Sequence, residues 1–122
     1  MNVLLGLGGT DESIQALEAT IDRASAVGDE LVVAILDKAD APRSPAEMRS
    51  ETAATLEAAG FDADIRELEG DPGPALVDLA EREGFDHVVI GGGTETPMGK
   101  IRLGPITEFV LLNASMPVTL IR

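Results

Sequence analysis

Short runs of apolar or alternating residues, each about the length of a strand, recur five times along this chain. Between them lie four longer segments whose apolar positions recur at helical spacing. Residues 3–7 (VLLGL) and 31–36 (LVVAIL) are almost wholly apolar, the pattern of a strand covered on both faces. Residues 62–68 (DADIREL) alternate instead, with Ala63 and Ile65 on one face and charge on the other, which predicts an edge strand guarded against pairing with other chains. Residues 87–90 and 117–121 (PVTLI) complete the set. His87 stands at the start of its run and reads as an exposed first residue of a strand.

The helical segments carry their own punctuation. Ile14, Leu17, Ile21 and Ala24 mark the first, with Thr10 or Asp11 placed to cap it and Gly28 to stop it. Residues 37–43 read as a polar loop. Ser44, Pro45 and Glu47 then form a capping box with proline at the first helical position, ahead of Met48, Thr52, Leu56 and Ala59 on one side and Gly60 at the end. Asp71 before Pro72 is placed to cap the third helix, in which Leu76, Val77 and Ala80 form the stripe and Gly84 the stop. Ile106, Phe109, Val110 and Asn113 describe the fourth.

Strict alternation of strand and helix predicts an α/β fold, flavodoxin-like or Rossmann-like: one five-stranded parallel sheet with helices on both faces. At 122 residues the chain is expected to form a single domain, 1–122, around one sheet. In such sheets ligands bind beyond the carboxyl ends of the strands, where the strand order reverses. Gly8 and Gly9 follow the first strand, and glycines 91–93 follow the fourth. If those strands are neighbours, the two clusters face one site.

Composition narrows the chemistry. Cysteine is absent and His87 is the single histidine, which removes thiolate chemistry and His-based metal clusters. Twenty-two acids against nine bases give a net charge of −13. That charge repels nucleic acid and anionic lipid, so neither is expected as a partner. It also suits a halophilic acidic surface, one adapted to high cytoplasmic salt, where counterions screen self-repulsion. No run reaches the length of a membrane span, and no basic segment precedes the first apolar run, so the expected location is cytoplasmic.

Asp11, Asp37 and Glu95 are the acids near strand ends, all on polar loops and without an organising partner. No catalytic residues are assigned and no enzyme is expected. The stretch 87–107 (HVVIGGGTETPMGKIRLGPIT) is better suited to binding: an apolar strand breaks into glycines, crosses a polar loop and re-enters helix at Gly104. Backbone amides without side chains ahead of a helix form an anion-receiving geometry, and the same residues also describe a surface turn. Lys100 and Arg102 lie in this loop, either to offset phosphate charge or as solvated bases. The Walker pattern and G-x-G-x-x-G are both absent.

The whole chain resembles the universal stress protein family. Its opening, VLLGLGGTDESIQAL, is similar to the family's first strand and helix, with Ser13, Ala16 and Leu17 in register. EGDPGPALVDLAEREGFDHVVIG resembles the family's Gly-Asp-Pro turn, third helix and fourth strand, and TEFVLLNASMPVTLIR its closing helix and strand. Gly91 and Gly104 match the first and third glycines of the family's nucleotide motif. The resemblance implies a homodimer joined through the last strand (Val118, Thr119, Leu120, Ile121) and, in some members, binding of ATP or AMP with Mg²⁺. Carried over by position, Gly8, Gly9 and Leu36 border the base and ribose, and Thr10 belongs to the same binding site. Gly91, Gly93, Gly104 and the amides of Ile106 and Thr107 hold the phosphates, with Thr94 and Lys100 beside them. Three residues depart from the pattern: Gly8 stands at an aspartate position, Thr94 at the second glycine, and Pro105 at a Ser or Thr. Two expectations follow, an adenine-nucleotide binding or signalling protein in stress response with a weakened site, or an interaction module of the same fold that regulates a protein partner.

Overall fold

The computed structural model describes residues 1–91, 94–95 and 97–121. In chain order the elements are β1 (Asn2–Leu7), α1 (Asp11–Val27), β2 (Glu30–Leu36), α2 (Pro45–Ala59), β3 (Asp64–Leu68) and α3 (Pro72–Arg82). They continue with β4 (His87–Gly91), β5 (Thr94–Glu95), β6 (Ile101–Arg102), α4 (Pro105–Asn113) and β7 (Val118–Ile121). The five longer strands form one parallel sheet in the order β3-β2-β1-β4-β7. The expected fold class is therefore found. β5 and β6 pair antiparallel in a small separate hairpin within what the sequence presents as a polar loop. Strands of two residues are too short to carry a hydrophobic period, so nothing in the pattern announces them.

Successive strand residues face opposite sides of the sheet, which gives two cores. On one side Leu5, Leu7, Val33, Ile35 and Val89 meet Leu17 and Ile21 of α1 and Met48 and Leu56 of α2. On the other, Leu4, Ala34, Leu36, Val88 and Ile90 meet Leu76 and Ala80 of α3 and Val110 of α4. Each fully buried leucine removed from water contributes about 1.5–3 kcal/mol. β2, β1 and β4 are interior strands, and their continuous apolar runs follow from burial on both faces.

The helix boundaries follow the capping chemistry with one exception. Thr10 caps α1 by accepting the Ser13 amide, and Gly28 closes that helix. The capping box of α2 is complete, with the Glu47 amide donating to Ser44 Oγ and the Ser44 amide donating to Glu47 Oε1. Hydrogen bonding of the ionised carboxylate by the Ser44 backbone amide, and then by the Ser44 side chain, holds Glu47 below its ordinary pKa. Asp71 occupies the cap position of α3, but its side chain makes no capping bond there. His87 does open β4, yet it is half-buried rather than exposed, because its Nε2 pairs with Thr119 Oγ1 of β7. Ala59, expected on the buried side of α2, is exposed.

Candidate nucleotide cleft at the switch point

The strand order reverses between β1 and β4, which pair directly from Val3↔His87 to Gly6↔Ile90. One neighbour of this pair continues toward β2 and the other toward β7, so their crossover connections diverge and leave a crevice beyond the carboxyl ends. A cavity of about 240 Å³ occupies it. Gly8, Thr10, Leu36, Gly91, Gly104, Ile106 and Thr107 line it, together with Glu12, Ser13, Lys38 and Ile90.

Each wall has a distinct origin. The β1–α1 turn is held by hydrogen bonds: the Gly8 amide donates to Ser13 Oγ at 2.9 Å, and Ser13 Oγ lies 3.2 Å from Thr10 Oγ1. The Gly8 N–H is thus already committed to protein. Lys38, just beyond β2, lies alongside; a Cβ added to Gly8 would stand 3.4 Å from its Cδ, in ordinary contact. On the far side Gly104 is the cap residue of α4 and has no side chain to satisfy the helix's first amides. Pro105 has no N–H, which leaves the amides of Ile106 and Thr107 as donors without an intrahelical acceptor. These amides and the positive end of the helix dipole face a cavity, an arrangement that favours an anionic group.

Several expected residues have other places. Gly9 is absent from the lining and holds a turn: its φ is 79°, and a Cβ there would stand 2.6 Å from the Arg43 carbonyl oxygen. The Arg43 amide in turn donates to the Gly9 carbonyl, while its guanidinium pairs with Asp11 and Glu51. The bond to Asp11, and then the pairing with Glu51, raise the Arg43 pKa above its ordinary value. This cluster fastens residues 37–44 to the end of β1 and keeps the Asp11 carboxylate engaged away from the cavity. Asp37 does not line the cavity either. Gly91 does line it, but its missing Cβ is also required by packing, since a Cβ would stand 2.9 Å from the Glu12 carbonyl oxygen and 3.0 Å from Ala16 Cβ.

Lys100 does not border the cavity. Gly93 lies outside the described residues, and Thr94 enters through its backbone, paired with Arg102 in the hairpin. Glu12, Ser13, Lys38 and Ile90 are the lining residues that sequence reading omitted. Strand register is the signal that finds Lys38, because Leu7 pairs with Ile35 and the segments beyond them emerge side by side. Among the described residues, no group of three or more His, Asp or Glu is placed to hold a metal ion.

Comparison with known proteins agrees with this architecture. A family model described as "Universal stress protein family" matches residues 1–122. A universal stress protein of Methanocaldococcus jannaschii is 36% identical over 55 residues, which are 45% of this chain and 32% of that protein. The aligned part thus spans about a third of that relative's length. A universal stress protein structure from Archaeoglobus fulgidus superposes with a TM-score of 0.81 at 21% identity, covering 100% of this chain and 98% of that one. A universal stress protein in complex with cAMP superposes at 0.76 with 24% identity, covering 100% and 97%. With the family model matched from the first residue to the last on a fold of the same topology, the chain belongs to the universal stress protein family.

Proposed function

We propose that this protein binds an adenine nucleotide in the β1–β4 crevice and acts as a homodimeric binding or signalling protein in stress response. The observation that carries the reading is the uncapped N-terminus of α4 facing a cavity lined by seven of the residues expected from sequence. At about 240 Å³ the cavity lies below the roughly 300–1,000 Å³ of common ligand sites. That size favours AMP or a cyclic nucleotide over ATP with Mg²⁺, and a universal stress protein of similar fold is in complex with cAMP. Lys38 supplies positive charge, while Glu12 in the same lining opposes it. The site is therefore one of modest affinity. Titration calorimetry with AMP, ATP and a cyclic nucleotide in molar KCl with Mg²⁺ tests the reading, and AMP is expected to bind at least as tightly as ATP. Silence toward all three would favour the interaction module.

The dimer forms through β7, the sheet edge opposite β3. β7 pairs with β4 on one side, and Val118, Leu120 and Ile121 are half-buried in the single chain. Light scattering is expected to give twice the chain mass of 12.7 kDa. A monomer at working protein concentration would defeat this interface. The acidic surface is suited to concentrated salt, because the net charge of −13 is self-repelling when unscreened. The melting temperature is expected to rise from dilute buffer to molar KCl, and an unchanged melt would remove this part of the proposal.

A further inference from the structure

A second cavity, of about 170 Å³, lies on the α1 face of the sheet, toward the amino ends of β1 and β4 and away from the nucleotide crevice. Here α1 presents the small residues Ala19, Thr20 and Ala24, so the gap between helix and sheet remains open. Its apolar walls include Val3, Val89 and Ile121. His87 and Thr119, bonded to each other, form part of the floor.

Two polar features stand out against that lining. Thr20 is 6% exposed, and its Oγ1 is buried without a hydrogen-bond partner, the one such side-chain atom among the described residues. Buried hydroxyls are seldom left in this state. On α2, Thr52 and Thr55 each donate to the carbonyl one turn back, at 2.7 and 2.8 Å, so α-helical geometry offers an escape that Thr20 does not use. Arg23 lines the same cavity and takes part in no ion pair among the described residues, while Asp29 beside it is already paired with the Met1 ammonium at 3.1 Å. Three positions apart on α1, Thr20 and Arg23 share one helix face.

We infer that this cavity is a binding site for a small monocarboxylate with a compact apolar body. The body, of about six to eight carbons since a cavity of ~150 Å³ admits a benzene ring, lies against Val3, Val89 and Ile121. The carboxylate pairs with the Arg23 guanidinium and accepts the Thr20 hydroxyl. This site is independent of the nucleotide reading.

Benzoate is a suitable probe, with benzyl alcohol as its neutral counterpart, in an amide NMR titration of the full chain. Saturable shifts at Thr20, Arg23, Val89 and Thr119 are expected with benzoate, with affinity about tenfold lower for benzyl alcohol, the loss of one charge-assisted pairing. Arg23→Gln is expected to abolish that preference, and Thr20→Val to weaken benzoate without lowering the melt, since it removes an unpartnered buried hydroxyl. The same shifts should persist in Gly104→Val, which separates this cavity from the crevice. No saturable change up to the solubility limit of benzoate would overturn the inference. Shifts at Thr20, Arg23 and Val89, away from β7, that follow protein concentration rather than benzoate would also overturn it, by showing that a second copy fills the cavity.

Discussion

Gly104→Val is expected to lower affinity for an adenine nucleotide by a hundredfold or more while leaving the melting temperature nearly unchanged. The two halves of this prediction have separate causes. Gly104 has φ −74°, which any residue adopts, and a Cβ added there meets no atom within 4 Å. The fold therefore tolerates the branched side chain. Its methyl groups, however, enter the cavity at the cap of α4, where the Ile106 and Thr107 amides await an anion. Displacing a charged group from two backbone donors forfeits about 1.5–3 kcal/mol for each hydrogen bond, which corresponds to two orders of magnitude or more in affinity. Calorimetric titration of AMP alongside a thermal melt checks both halves. Retained binding would move the anion site away from α4, and a lowered melt would mean that the residue serves packing.

Gly91→Val is expected to have the opposite signature: a large loss of stability, with binding lost only as a consequence. A Cβ at this position would stand 2.9 Å from the Glu12 carbonyl and 3.0 Å from Ala16 Cβ, so α1 would have to move away from β4. Backbone cannot yield as a flexible side chain can. Overpacking of this kind costs typically about 1–3 kcal/mol, and the three heavy atoms of valine place this change at the upper end. Native stabilities of about 5–15 kcal/mol make that a substantial fraction of the whole. Chemical denaturation monitored by circular dichroism measures it. A midpoint unchanged from the wild type would show that α1 accommodates the side chain and that Gly91 is reserved for the ligand.

These two glycines show what could be read from the chain and what could not. Both were legible as positions where something approaches the backbone closely, and both follow or precede an element in the order expected. Sequence does not say what approaches. At Gly104 it is open space in a cavity; at Gly91 it is the first turn of α1. The same limit applies to Gly9, which reads as part of a ligand-facing pair and instead seats the Arg43 loop. Local chemistry was legible where the cause is local, as in the Ser44–Glu47 capping box and the Thr10 cap. Strand order follows from long-range pairing, so the presence of Lys38 beside Gly8 emerges only once β1 and β2 are aligned. Family register supplied Ile106 and Thr107, which composition and periodicity alone leave as ordinary helix residues.

The two edges of the sheet differ in a way that bears on assembly size. Along β3, Arg66 is held between Asp64 and Glu83, and Arg49 of α2 donates to the Ile65 carbonyl, so charge and an occupied acceptor line that border. β7 offers Val118, Thr119, Leu120 and Ile121, and among the described residues no ion pair lies along it. Growth by strand addition needs two receptive borders on every copy, and the dimer proposed above would use one, β7, leaving the guarded β3. An association of that kind would be self-limiting: once two β7 borders had met, only the guarded β3 borders would remain, and the path to an open fibre would be closed.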